Sequence, residues 1–495
     1  MKLLARPVPK WPKLAWTAII TPGSDQIIVY HGPMVEASDQ WVVEAVWAGA
    51  FEPGDFDGTD MVFGTGVRCR DDRVIFVSSG TAMDRLWYIQ KNKTFYVSNS
   101  LAALSACAEL FLIEEFCYVN DRFSAMRTTW GAASCMRSFP TQAGDAGLIW
   151  FNNLVYEDGS LHEIPKPDVS PPFKTFADYQ NFLFDTARSL NINLASPQRR
   201  HKVTPLASIS SGYDSPAAAV VAKLAGCAHA VTIKQSSSFW RGSDSGQTIA
   251  HYLGLNCRDY HRTAEEYPHE EAFWAASGYC NLLGWTLFEY PEPVCLFFIG
   301  CYGDAIWERR RLAKPFTFDV WDDLAMSEYR LLVGMLQCAV PFWGMRHSQE
   351  IENITFSDEM APWTIYGNYD RPIARRLIEE AGVPRGIFAV RKKNTSHEAA
   401  FRWPYSPESQ ESFRRYLARR GLWAPGAFWV GLLRRLAHLE SLVYANITNK
   451  LNIRTRLRPW RKFTGLSLVF HWANDELKQF YLKGLEESDS KHKVL

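Results

Sequence analysis

Apolar residues in the first third of the chain come in short alternating or β-branched runs: TAII, QIIVY, RVIFVSS, FYVSN and GLIWF, between Trp16 and Phe151. Gly, Asp and Asn separate them. A period of two with turn residues between the runs predicts strands, so this half is expected to be β-rich. The pattern breaks at Glu163 to Phe173, EIPKPDVSPPF, which holds four prolines in eleven residues. Proline removes a backbone donor and fixes φ, so neither a helix nor a central strand crosses this stretch. It is the expected boundary between a first domain, residues 1–165, and a second, residues 174–495. Beyond it the period becomes helical: Thr175 to Ile192 reads as a helix, PLASIS as a strand, SPAAAVVAKLAG as a helix, VTI as a strand and DSGQTIAHYLGL as a helix. Strand and helix in alternation predict a parallel sheet flanked by helices, and hence an α/β chain. From Glu408 to Leu495 the pattern is mainly helical, with a charged tail expected to fray.

The most apolar long window, Phe428 to Ile447, is interrupted by Arg434, Arg435, His438 and Glu440. A membrane span wants about 20 largely uncharged apolar residues. The window therefore predicts an amphipathic helix, with no transmembrane segment. The N-terminal MKLLARPVPKWPKLAW lacks the continuous apolar stretch of a secretory signal. Lys plus Arg number 54 against 53 for Asp plus Glu, so no global field attracts nucleic acid or an anionic membrane, and a small-molecule partner is expected. Ten cysteines form no C-x-x-C pair, which argues against a zinc cage and fits a reducing cytoplasm. Trp460 lies in a basic stretch with Arg458 and Arg461; burial is the expectation there, with a peripheral membrane contact as the alternative.

The chemistry concentrates in Pro205 to Gly226, PLASISSGYDSPAAAVVAKLAG. A strand runs into Ser210-Ser211-Gly212-Tyr213-Asp214-Ser215 and at once into an alanine-rich helix. Small residues let backbone wrap phosphate oxygens, Ser210 and Ser215 supply hydroxyls, and the helix N-terminus adds N–H groups at the positive end of its dipole. Asp214 would repel a bare phosphate, which makes sense if Mg2+ bridges it to pyrophosphate oxygens. The G-K-[ST] ending of a Walker loop is absent. As an ordinary turn, the same residues would simply cap a helix through Asp214 or Ser215.

This segment resembles the S-G-G-x-D-S loop of the ATP pyrophosphatases, and more closely that of the asparagine synthetase family, with Ser211 in place of the first glycine. The resemblance implies an ATP site at Ser210, Ser211, Gly212, Asp214 and Ser215, with Ile233 of the following strand beside the adenine. FFIGCYGDAIWE, Phe297 to Glu308, is similar to the family's S-G-x-G-x-D-E fingerprint. It implies small residues at Gly300 and Gly303 and a second magnesium-holding acid at Asp304. Ala305 and Cys301 stand where that fingerprint has acids. GVPRGIFAVRKKNTSHE, Gly382 to Glu398, is similar to the R-x-K segment, implying Lys393 over the reacting phosphate, with Lys392 as the fallback. Tyr302 is the candidate for proton transfer from the amine.

FEPGDFDGTDMVFGTGVRCRDD, DRLWYIQ and FYVSNSLAALSA resemble the later strands of the family's glutaminase half. Those glutaminases use a cysteine directly after the initiator methionine, thiol and α-amine together. Here that residue is Lys2. The resemblance thus implies a degenerate N-terminal-nucleophile sandwich followed by an ATP pyrophosphatase domain. The implied reaction is adenylation of a substrate carboxylate, then displacement of AMP by an amine not made from glutamine. Cofactors would be ATP and Mg2+, the partners a small-molecule or peptide carboxylate and an amine, and a homodimer stays open. Two rivals are a non-catalytic nucleotide-binding scaffold, suggested by Lys2, Ser211 and Ala305 together, and another ATP pyrophosphatase such as a tRNA-modifying enzyme.

Overall fold

A computed structural model describes residues 1–114, 127–129, 137–234, 243–261, 267–277, 283–311, 317–319, 326–389, 403–443 and 466–492. Most of the alternating runs of the N-terminal half are strands. They are β1 (Lys2–Pro7), β2 (Trp16–Ile20), β3 (Gln26–His31), β4 (Glu36–Ala37), β5 (Trp41–Trp47) and β6 (Val62–Arg70). β7 (Arg73–Val77), β8 (Leu86–Lys91) and β9 (Thr94–Ser98) lead to helix α1 (Leu101–Cys107). The short β10 (Arg127–Thr129) precedes β11 (Arg137–Thr141), β12 (Gly144–Ile149), β13 (Asn153–Glu157) and β14 (Ser160–Ile164). Two sheets result, in the orders β1-β3-β2-β9-β8-β12-β11 and β14-β13-β7-β6-β5-β4. Pairing is antiparallel throughout, except that β1 runs parallel to β3 at the edge of the first sheet. Alternate residues point inwards, so Trp16, Val29 and Val97 of one sheet meet Val42, Val67 and Phe76 of the other in a shared core.

Residues 165–175 carry neither helix nor strand, as the prolines dictate. Thr175 then starts helix α2 (Phe176–Leu194) through a capping box with Asp178. β15 (Val203–Ser208), α3 (Asp214–Leu224), β16 (His229–Ile233), α4 (Gln247–Tyr252) and β17 (Asn256–Tyr260) follow in alternation. After α5 (Glu270–Ser277) come β18 (Val294–Ile299), α6 (Gly303–Ile306), β19 (Thr317–Asp319), α7 (Tyr329–Val333) and β20 (Met335–Ala339). Helices close the chain: α8 (Ser348–Phe356), α9 (Pro372–Glu380), α10 (Pro407–Arg419), α11 (Ala427–Val443) and α12 (Leu466–His492). The second half is built on a parallel sheet in the order β17-β16-β15-β18-β20. Its inner strand β18, VCLFFI, is buried at every position, the pattern of a sheet covered on both faces. No helix among the described residues is long and apolar enough to cross a membrane.

The two halves share a continuous core and a buried charge network. Arg330, 1% exposed, donates to both oxygens of Glu44 at 2.8 and 2.9 Å and lies 2.6 Å from Asp84. Glu328 accepts from the Ser100 hydroxyl at 2.7 Å and the Leu101 amide at 2.9 Å. The two-stranded ribbon of β10 and β19 adds a further link. In the described part of the charged tail, α12 continues to His492. Tertiary contacts explain this, since Trp11 donates to the Tyr481 carbonyl at 3.0 Å, Lys478 to the Leu110 carbonyl at 2.6 Å, and Lys10 pairs with Glu487.

Candidate functional site

Strand order creates a crevice. The chain builds outwards from β15 through β16 to β17, then returns to the other side of β15 to lay down β18 and β20. The loops after β15 and β18 therefore leave the sheet in opposite senses, and open α/β sheets bind ligands outside the carboxyl ends of their strands at such a reversal. Both candidate loops sit there. Ser210–Tyr213 joins β15 to α3, and Gly300–Tyr302 joins β18 to α6.

The glycines of the second loop press on Asp214. A β-carbon on Gly300 would lie 2.4 Å from the Asp214 carbonyl carbon and 2.5 Å from the Ser215 nitrogen. One on Gly303 would lie 2.3 Å from the Asp214 carboxyl carbon. Glycine is demanded at Gly300 by close approach of two backbones and at Gly303 by the Asp214 side chain. Ala217 to Ala222 of α3 are buried, small residues except for Val220 and Val221, and so let the helix sit close to the sheet. The helix begins without a side-chain cap, which leaves its N-terminus available to an anion. Pro216 lies in the first turn, where its missing N–H has no helical role.

The serines are partly engaged with their neighbours. Ser210 and Ser215 hydroxyls lie 2.8 Å apart; one donates to the other, and the accepting hydroxyl keeps its own proton for an external oxygen. Gly212 N–H donates to Ser210 Oγ at 3.3 Å. Ser211 is absent from the residues with positive φ, so the position that is glycine in the resembling loop tolerates a side chain here. Its hydroxyl donates to Asp244 at 2.6 Å and its amide to the Asp244 carbonyl at 3.1 Å. The serine thus ties the loop to the segment ahead of α4, where Asp244 is 3% exposed.

Arg371 was not among the residues singled out from sequence. It donates to Asp214 Oδ2 and is 2% exposed. Burial opposes its charge, but Asp214 first, then Tyr369 and Asp304, hold its pKa above the ordinary value. One guanidinium therefore feels both candidate metal-binding carboxylates. Tyr369 lies under it at 5.0 Å and meets the Tyr213 ring at 4.8 Å, while Arg375 donates to the Tyr213 hydroxyl. The segment NYDRPIARR, residues 368–376, thus supplies Tyr369, Arg371 and Arg375 to the phosphate loop. Its only local signal was a D-R-P preceding an amphipathic helix. PFWG reaches the second loop, where Phe342 packs edge-on against Tyr302 at 5.0 Å.

Tyr302 holds a left-handed backbone, φ 67°, a conformation that costs a non-glycine residue about 1 kcal/mol and marks the tight turn out of β18. Asp304 is exposed at the start of α6. Ile233 ends β16 at 4% exposure, within the hydrophobic core. Lys393, with Arg391 and Lys392, lies outside the described residues. The chain leading to it arrives at the site, since the Ala389 amide donates to the Ser211 carbonyl at 2.7 Å.

A cavity of about 970 Å³ lies elsewhere, between the first half and α2, beside Trp47, Asp55, Arg70, Asp178, Phe182 and Asp185. Its acids are already engaged: Asp55 with Arg70 and Asp185 with Arg188, each at 2.6 Å, and Asp178 in the cap of α2. Neither protein-family models nor curated proteins contain a match to this chain.

Proposed function

We propose that this chain is an ATP-dependent, AMP-forming amide synthetase of the asparagine synthetase type. The observation that carries the reading is the contact between the two loops: Gly300 and Gly303 seated directly on Asp214 at the reversal of strand order. Two motifs separated by 80-odd residues would have no reason to meet there by composition alone. In this reading the loop amides and the α3 N-terminus hold the phosphates, and the serine hydroxyl left free by the Ser210–Ser215 pair donates to a phosphate oxygen. The carboxylates of Asp214 and Asp304 are hard oxygen donors of the kind magnesium takes, and the ion would neutralise pyrophosphate as it leaves. Arg371 balances the acids before nucleotide binds and has to release Asp214 Oδ2 if both aspartates turn to the metal. A substrate carboxylate would attack the α-phosphorus, and an amine would then displace AMP from the acyl-adenylate. Positioning in the crevice supplies much of the rate. The first half would serve as scaffold or substrate wall.

A non-catalytic nucleotide-binding scaffold is favoured by one observation, the Arg371 guanidinium already seated on Asp214. Pyrophosphate exchange separates the two. The protein is incubated with ATP, magnesium, labelled pyrophosphate and a panel of carboxylates, alongside Asp214→Asn. Carboxylate-dependent label in ATP, lost in the variant, supports the synthetase. Nucleotide binding without exchange across the panel would leave the scaffold reading standing.

A further inference from the structure

Helix α11 carries two apolar stripes where a surface helix needs one. Val430, Leu433 and Ala437 are buried against the protein. Opposite them, Phe428 is 76% exposed, Leu432 38% and Leu439 56%, with the exposed Arg435 on the same stripe at helical spacing. Trp429, 52% exposed, packs on Phe428 at 5.8 Å between ring centres. Leu422 and Trp423, in the turn just before the helix, are exposed as well. These six residues, within an eighteen-residue stretch, are nearly half of the fourteen exposed large apolar side chains among the described residues. Scattered singly they would need no explanation, but clustered they mark a surface that meets something apolar.

Charge says what that partner is. Residues 407–443 hold six Arg against three Glu, in a chain whose net charge is +1. Arg415 and Arg419 of α10 are exposed, like Arg435. A helix with aromatic and leucine side chains on its free face and arginines about it matches the interfacial helices that lie in the headgroup region of a bilayer. We infer that α11 and the turn before it dock on an anionic lipid surface, with Trp423, Phe428, Trp429, Leu432 and Leu439 entering the headgroup–acyl boundary. Tryptophan suits that depth because its ring is apolar and its N–H is polar. Such binding is peripheral: α11 lies in the surface and does not span it. It is independent of the nucleotide reading, and it turns the amphipathic helix read at Phe428 to Ile447 outwards.

The test is sedimentation of the full-length protein with vesicles of phosphatidylcholine alone and of phosphatidylcholine with phosphatidylglycerol. Phe428→Glu/Trp429→Glu/Leu432→Glu removes the stripe, and Phe480→Glu, at an exposed aromatic on α12, is the control. Wild type and control are expected to sediment with the anionic vesicles only, less so as salt rises. The triple variant should lose at least about tenfold in partitioning. Trp423→Glu, in the turn, tests the same surface without touching the helix should the triple variant fail to fold by circular dichroism. Vesicle binding unchanged in a folded variant overturns the inference. So does absence of vesicle binding combined either with a dimer that the variant dissociates, which assigns the stripe to a second copy, or with saturable binding of a single-stranded RNA. A protein that does none of these also overturns it.

Discussion

Replacing Gly300 by alanine tests the contact on which the functional reading depends. The new β-carbon would lie 2.4 Å from the Asp214 carbonyl carbon and 2.5 Å from the Ser215 nitrogen, about 1 Å inside ordinary contact, which begins near 3.4 Å. Both obstacles are backbone, so no side chain can turn aside. Either β18 and its loop retreat from α3 or the start of α3 shifts. Overpacking of this kind costs about 1–3 kcal/mol. The catalytic loss should be larger, because a displacement near 1 Å in a positioned site can lower rates by about 100-fold. Gly212→Ala is the matched control. Its β-carbon would meet only the Tyr369 hydroxyl at 3.1 Å and Ser210 Oγ at 3.5 Å, and its φ is not in the positive range. Thermal unfolding, nucleotide titration by calorimetry and pyrophosphate exchange on both variants read the outcome. Gly300→Ala should melt lower and bind nucleotide weakly, with Gly212→Ala close to wild type in stability. Equal melting and equal affinity in Gly300→Ala would mean that the loops do not meet, and the assignment of Asp214 and Asp304 to one site would fall with them.

Arg371→Met removes the charge-assisted hydrogen bond that Asp214 has to give up when magnesium nucleotide binds, and is expected to tighten that binding by about tenfold or more, consistent with about 1.5–3 kcal/mol for a hydrogen bond to a charged group; unchanged calorimetric affinity would confine Arg371 to a structural role. Arg330→Met strands Glu44 and Asp84 in the interior between the halves, and a cost of about 3–5 kcal/mol is expected in denaturant titration, partly recovered when Glu44→Gln and Asp84→Asn are added. Burial pushes the Glu328 pKa up to about 7 from an ordinary 4.5, against hydrogen bonds from Ser100 and Leu101 that favour the charged form. A raised carboxyl pKa means the folded state holds the extra proton between those values, so this contribution is present at low pH and lost as pH rises to about 7. Glu328→Gln should therefore flatten the fall in stability between about pH 4.5 and pH 7, leaving the smaller slope from Asp84, raised to about 6 mainly by burial.

Periodicity along the chain was enough to place the β-rich first half, the proline-rich break at Glu163 to Phe173 and the alternating second half, because a strand or helix with one buried face must write that face into its sequence. It also exposed the Ser210–Ser215 loop, since a strand, a run of small residues and a helix in immediate succession are local features. What it did not contain was strand order. Only the sheet places β18 beside β15, and so brings Gly300 and Gly303 against Asp214 from far along the chain. Arg371 was illegible for the same reason: it follows a loop in NYDRPIARR, and nothing within that segment says which carboxylate its guanidinium will meet. Glu44, Asp84 and Arg330 look like ordinary surface charges in sequence, yet assembly of the halves buries them together. The two stripes of α11 illustrate the limit from the other side. Amphipathic spacing predicted the helix, but which apolar stripe faces inwards and which is left to solvent depends on the neighbours that pack against it, and those are set by tertiary structure alone.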